Sequence, residues 1–282
     1  MKRLLPKNLH RIFLYAKYNI RDFYDSYIAP ALSPRITPLG FVFLGSNSIH
    51  HKAMQKGEFE SLEVEWLNEQ FNSIDYFIDI GANIGYFSCI ARSKGKFVIA
   101  VEPLWKNLQM LLRNIELNSG PPVEVFPLAL SAEIGTMNLY GLSSTGASLL
   151  ANWAGAPVSA VRRVPVTTLD NILGGRFIDK RLLIKIDVEG FEYQLLNGSK
   201  TTLDRKLKPV WLIEITNSQF HPQGLNPHFE DTFQEFWRRG YLCFALTSAG
   251  KEFIENKNFI EINKYQSKGV INYIFLDNQS NR

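Results

Sequence analysis

At 282 residues the chain is long enough for one large domain or two small ones, and 45% hydrophobic with 13% aromatic residues supplies a substantial core. The net charge of +4 sits wholly in residues 1–25, where Lys2, Arg3, Lys7, Arg11, Lys17 and Arg21 face only Asp22 and Asp25. The remaining bases and acids balance, which argues against a nucleic-acid partner held on a broad basic face. No apolar run is long enough to span a bilayer, and the two cysteines, Cys89 and Cys243, sit in apolar contexts that fit free thiols in a reducing, cytoplasmic setting.

Leu5, Leu9, Ile12, Phe13, Ala16, Ile20, Phe23, Tyr24 and Tyr27 recur at helical spacing with bases between them. This predicts a basic amphipathic helix without the apolar centre or cleavage site of a signal peptide. Its stripe either packs on the domain or lies peripherally on the anionic inner membrane surface through residues 1–25. Pro30, Pro34, Pro38 and Gly40 mark a loop, and Gly40–Leu44 reads as a short strand. His50-His51 has no Cys or acid at metal spacing and reads as a solvated or substrate-side pair. Residues 1–56 are taken as an extension and 57–282 as the main domain, entered by a helix carrying Phe59, Leu62, Trp66, Leu67 and Phe71.

The stretch Tyr76-Phe77-Ile78-Asp79-Ile80-Gly81-Ala82-Asn83-Ile84-Gly85 is a buried strand, a tight glycine turn and the start of a helix. The next strand, Phe97–Val101, ends on Glu102, 21 residues beyond Gly81. That offset is close to the ~20 residues at which Rossmann-type folds place an acid on ribose hydroxyls, so a nucleoside cofactor is expected. Asn83 stands where a dinucleotide loop needs its second glycine, and Asp79 adds negative charge where a pyrophosphate would lie. A cationic sulfonium with an amino group suits this corner better, which points to S-adenosylmethionine.

Leu104, Leu108, Leu111, Leu112 and Ile115 mark a helix stopped near Gly120, and Val123–Phe126 is a third strand followed by Ala129-Leu130-Ser131. Met137–Tyr140 alternates like a strand, and residues 141–160, rich in Gly, Ser and Ala, read as a loop near the site. Val164–Asp170 is an extended piece entering a helix. Leu182–Ile186 is a buried strand ending at Asp187, and Val210–Ile213 ends at Glu214. Phe229, Phe233, Phe236 and Trp237 form a helix face before the last strands, Tyr241–Leu246 and Ile271–Leu276. The alternation predicts an α/β fold: a mostly parallel seven-stranded sheet with an antiparallel edge strand and helices on both faces.

Asp79–Gly85, Glu102-Pro103, Asn107, Asn114 and the run Lys185-Ile186-Asp187-Val188-Glu189-Gly190-Phe191-Glu192 together resemble the FkbM-type methyltransferases, over roughly residues 57–276. The resemblance implies a Rossmann-like class I methyltransferase domain and S-adenosylmethionine as donor. It implies a hydroxyl acceptor on a carbohydrate, glycolipid or other natural product. It further implies that Asp79, Gly81, Ala82, Asn83 and Gly85 line the methionine and ribose side, with Glu102, Pro103 and Asn107 at the ribose. Ala129, Leu130 and Ser131 would then lie near adenine, and Asp187, Glu189 and Glu192 would face the reacting methyl.

A hydroxyl acceptor needs a base, since a neutral alcohol is a poor nucleophile. Asp187 at the strand end is the first choice, Glu189 the second, and Glu214 stands evenly between base and support. Lys185 is expected to partner one of these acids, and Glu192 to meet a helix dipole. Oxygen-rich clusters also attract hard cations, but no metal is assigned. The rival readings are a catalytically inactive S-adenosylmethionine-binding module and an NAD-dependent oxidoreductase.

Overall fold

The computed structural model describes residues 33–46, 48–141, 146–156 and 158–278. The amphipathic helix expected within residues 5–27 lies outside the described residues.

The described chain opens with the strand pair β1 (Arg35–Ile36) and β2 (Val42–Phe43), followed by α1 (Ile49–Lys56) and α2 (Ser61–Gln70). Alternation then sets in with β3 (Tyr76–Ile80), α3 (Tyr86–Ser93), β4 (Phe97–Val101), α4 (Trp105–Glu116) and β5 (Val123–Phe126). An insert forms its own small sheet from β6 (Ala129–Leu130), β7 (Gly135–Tyr140) and β8 (Val161–Thr167). Through α5 (Leu169–Leu173) the chain returns to β9 (Leu182–Ile186), α6 (Glu192–Asn197), α7 (Lys200–Leu203) and β10 (Val210–Glu214). It ends with α8 (Phe229–Trp237), β11 (Tyr241–Thr247), β12 (Gly250–Ile254), α9 (Phe259–Ser267) and β13 (Asn272–Asp277).

The main sheet runs β12-β11-β13-β10-β9-β3-β4-β5. Its β10-β9-β3-β4-β5 stretch is parallel, so the order turns back on itself around β3 and β9. The α/β class expected from the sequence is present, a Rossmann-like and mostly parallel sheet. It has eight strands rather than seven. The reversed strand β13 lies inside, antiparallel to both β10 and β11, while β12 folds back on β11 as the edge. A strand paired on both sides and covered on both faces is apolar throughout, as Tyr273, Ile274 and Phe275 are. The exposed edge residues Lys251, Glu252 and Phe253 carry no alternation from which β12 could have been read.

Period-two alternation sends Ile78, Ile80, Ile184, Ile186, Trp211 and Ile213 to one face and Phe77, Val98, Ala100, Leu183 and Leu212 to the other. On the first face α8 lays its aromatic stripe: Phe236 stacks on Phe275 at 3.8 Å, and Phe233 meets Tyr273 edge-on at 4.8 Å. On the second face Phe41, Phe43 and Met54 share one core with Leu67, Phe77 and Ile90. The chain from Phe41 onward is therefore packed into this core, with no break at residue 57. His51, expected to be solvated, is buried. Its Nδ1 accepts from the Ser46 backbone N–H at 2.8 Å, and burial, with His50 adding to it, lowers its pKa to about 4. At neutral pH it is an uncharged core residue.

Asn114 of α4 and Asn118, just past the end of that helix, satisfy the backbone of the segment that begins the core. Asn114 accepts from Leu44 N at 2.7 Å and donates to the carbonyls of Leu44 and Ile84 at 3.0 and 2.8 Å. Asn118 does the same for Val42, at 2.8 and 2.7 Å. These carboxamides stand in for a neighbouring strand.

The second face also carries charge. Parallel register places Asp79 of β3 beside Lys185 of β9, and both are buried. Asp79 accepts from Ser88 Oγ at 2.6 Å, and the Lys185 ammonium lies 3.2 Å from Asp187 and 4.6 Å from the Phe87 ring centre. Burial opposes the lysine's charge, but Asp187, Glu60, Asp79 and Glu214 together outweigh it and hold the pKa above its ordinary value.

Asn114→Ala leaves three buried backbone groups without partners and is expected to cost about 3 kcal/mol in urea unfolding. Lys185→Met removes the cation shared by the buried acids and is expected to cost about 3–5 kcal/mol at neutral pH, with the loss shrinking as the acids protonate at lower pH. Denaturant midpoints measured at pH 5 and pH 8 check both.

Candidate active site

The site grows out of the glycine turn after β3. Gly81 adopts φ +82°, and a Cβ there would fall 1.9 Å from the carbonyl oxygen of Asp187. Only glycine lets the β3 turn pass this close to the end of β9. The backbone N–H groups of Gly81 and Ala82 both donate to Val101 O at 3.0 Å, which ties the turn to β4. Asn83 is left-handed at φ 52° and donates its backbone N–H to Glu102 Oε2 at 2.9 Å.

Beyond these strand ends opens a cleft whose empty space, the open solvent at its mouth included, is about 620 Å³. Gly81, Asn83, Glu102, Pro103, Asn107, Asp187 and Glu189 give it polar groups, and Val101, Leu130, Leu139, Leu149 and Phe191 give it apolar walls. It lies where the strand order turns back, the usual binding crevice of open α/β sheets.

Glu102 is buried and held from three sides. Oε1 accepts from Leu104 N at 2.8 Å and from Asn107 Nδ2 at 3.3 Å, and Oε2 accepts from Asn83 N. Burial pushes its pKa up to about 8 against the pull of these hydrogen bonds. A carboxyl fixed in one orientation in a cleft can receive a pair of vicinal hydroxyls, and their donation favours its ionised form.

Opposite Glu102 stands a group of acids around Lys185. Glu189 lines the cleft in the left-handed conformation, φ 57°, and accepts from the Trp153 indole N–H at 2.7 Å. Burial first, and then Asp187, pushes its pKa up to about 7. Glu192 is buried, accepts from Gly190 N at 2.9 Å, and is pushed up to about 8 by burial. Its contact is with the turn before α6. Glu214 is raised well above the ordinary range by burial and by Asp187 and Glu189.

Of the residues expected at the cofactor, Gly81, Asn83, Glu102, Pro103, Asn107, Ala129, Leu130 and Asp187 line the cleft. Asp79, Ala82, Gly85 and Ser131 do not. Asp79 is turned under α3 to Ser88, and Ala82 is buried in the core of the second face. Gly85 lies against Leu111, and the Ser131 backbone pairs with Thr167. Of the expected acids, Asp187 and Glu189 reach the cleft, whereas Glu214 acts on both from the end of β10 without lining it. Among the described residues no group of three or more His, Cys, Asp or Glu side chains is arranged to hold a metal.

Two contributors had no expected role. Glu60 caps α2 at φ 45°, and burial pushes its pKa up to about 8, with Lys185 and Asp187 among its neighbours. Its surroundings in the sequence carry no motif. Trp153 is completely buried against Glu189. Its signal was visible, a lone large aromatic inside a stretch otherwise rich in Gly, Ser and Ala.

Over 150 residues the chain is 29% identical to the hexuronic acid methyltransferase AglP of Haloferax volcanii; the match covers 50% of this chain and 56% of AglP, so the chain spans little more than half the length of that relative. Among solved structures, magnesium protoporphyrin IX methyltransferase of Synechocystis PCC 6803 superposes at a TM-score of 0.42, with 10% identity over 98% of this chain and 99% of that one. Precorrin-6y C5,15-methyltransferase of Geobacter metallireducens superposes at 0.38, with 13% identity over 76% and 87%. The model of the methyltransferase FkbM domain matches residues 79–243, from the acid of β3 to the middle of β11 and across the whole cleft, and the chain belongs to the FkbM family of S-adenosylmethionine-dependent methyltransferases.

Proposed function

We propose that this methyltransferase transfers its methyl group to a hydroxyl of a carbohydrate or glycolipid, with Glu189 as the base. The observation that carries the reading is the placement of Glu102 and Glu189 in one cleft, the first held as an acceptor for hydroxyls and the second with a pKa of about 7. The likeness to a hexuronic acid methyltransferase supports a sugar as acceptor. Family membership leaves the nicotinamide alternative without support.

S-adenosylmethionine supplies a methyl group already activated on a cationic sulfur. The chain's residues have to hold the donor, align the acceptor oxygen and take its proton. Glu102 would hold the ribose hydroxyls, with Asn83 and Asn107 fixing the carboxylate, and Leu130, Leu139, Leu149 and Phe191 would enclose the flat apolar part of the nucleoside. Asp187, ion-paired with Lys185, offers a fixed negative charge to the donor's cationic end. Alignment of this kind contributes ~7–11 kcal/mol in well-oriented systems, and a base about 10²–10⁴-fold.

The choice of base reverses the order expected from the sequence. Asp187 is already engaged with a buried ammonium. Glu189 has a pKa near the working pH, where a base combines a useful ionised fraction with real proton affinity. Asp187, paired with the single lysine, and the ionised form of Glu189 also disfavour a carboxylate acceptor, which would enter beside like charge. A neutral hydroxyl carries no such penalty.

Glu102→Ala is expected to weaken S-adenosylhomocysteine binding by about tenfold or more in calorimetric titration; an unchanged dissociation constant places the ribose elsewhere. Glu189→Gln is expected to keep that affinity within about threefold and to lose about 10²–10⁴-fold in turnover. The acceptor class is checked by transferring an isotopically labelled methyl group to a panel of neutral and acidic glycosides and treating the products with mild alkali. An ether resists this treatment and supports the proposal. An alkali-labile methyl ester overturns it.

A further inference from the structure

The strap Gly146–Ala156 touches both halves of the site. Gly146, Ala147 and Leu149 wall the cofactor cleft. A few residues on, Trp153 donates its indole N–H to Glu189 Oε2 at 2.7 Å, and Ser148 Oγ donates to the Glu189 carbonyl at 2.6 Å. The Gly146 backbone N–H adds a further hydrogen bond to the Glu189 carboxylate. Glu189 is thus gripped at side chain and backbone by one segment that is remote from it in sequence.

Gly190 completes the fit. Its φ is +91°, and a Cβ there would sit 2.4 Å from the Trp153 ring, so the turn that presents Glu189 is shaped around the indole. The ring also meets the β10–α8 connection. Trp153 packs edge-on to His221 at 5.2 Å and near Phe220 at 6.1 Å, and Ala154 N donates to Phe220 O at 3.0 Å. The indole directs its single donor at the carboxyl that faces the cleft.

We propose that Trp153 is a positioning residue for methyl transfer: its indole N–H fixes the Glu189 carboxylate toward the acceptor and links the base to the strap that walls the donor cleft. The proposal rests on the assignment of Glu189 as base. An N–H donor favours the charged form of a carboxyl. Here it works with Lys185 and the Gly146 N–H, and against Asp187, Glu192, Glu214 and burial. His221 packs edge-on against the ring. Removing the indole donor moves the titration of Glu189 upward, whereas loss of packing alone admits water and, by relieving burial, moves it downward.

The test is a carbon-13 NMR titration of side-chain carboxyls in the full chain, labelled at glutamate, with Glu189→Gln identifying the resonance. In Trp153→Phe the Glu189 midpoint is expected to rise by about one pH unit, with the glutamates outside the acid cluster of Glu60, Glu189, Glu192 and Glu214 unmoved and turnover reduced about tenfold or more at pH 7. An unmoved midpoint in folded Trp153→Phe overturns the proposal. A second measurement needs no tryptophan variant. Tryptophan fluorescence of the unaltered chain should change across the Glu189 titration, and Glu189→Gln should abolish the change; persistence of the change in Glu189→Gln overturns the proposal. Full turnover in Glu189→Gln together with a shifted midpoint in Trp153→Phe removes Glu189 as base and with it the catalytic role of Trp153. A dead Glu189→Gln with no shift removes the positioning role alone.

Discussion

The buried ammonium of Lys185 is the constraint on which this site depends. Asp79, Asp187, Glu60 and Glu214 all act on it, and carboxylates so far from bulk water remain tolerable only because a cation and hydrogen bonds share their charge. The sheet makes the arrangement unavoidable: register sets Asp79 of β3 directly beside Lys185 of β9. Asp187, two residues past the lysine, reaches back to it from the cleft side. The acid of the β3 motif and the acid of the β9 motif are therefore two ends of one electrostatic unit, one serving the interior and the other lining the cleft.

A second constraint is steric. Gly81 and Asp187 come so close that no side chain fits between them, which brings the β3 turn and the β9 end to one point. The donor cleft and the acids are adjacent because these two turns touch. Glu102 then defines the far wall of the cleft, tied back to the same turn through the Asn83 backbone. The small insert sheet supplies Leu139 and the strap supplies Leu149, so the third wall is built from a part of the chain with no place in the central alternation.

The sequence carried the central strands, the glycine turn, the Glu102 offset and the pairing of Lys185 with a nearby acid, because each is written in neighbouring residues. Periodicity and turn chemistry act over a few residues, and the strand ends follow from them. By the same logic Asp79 looked like a ligand contact: it ends an apolar run beside a glycine loop, and nothing in the one-dimensional string shows that its side chain points under α3 to Ser88. His51 looked solvated beside His50 for a related reason. A tandem pair on a helix sends one ring outward and one inward, and only packing against Ser46 shows which. The edge strand β12 and the inward place of β13 were equally hidden, since strand order is a long-range property.

By itself the sequence determined the α/β alternation, the glycine turn after β3 and the place of Glu102 at the end of β4, because they lie within one short stretch of chain, and its motifs carried the resemblance to the FkbM family. The tertiary structure alone decided which acids face the cleft, that Glu60 joins them from the start of α2, and that Trp153 grips Glu189. These contacts join segments tens to more than a hundred residues apart, and such distances close only when the sheet has assembled and desolvation has reset the proton affinities of the groups it encloses.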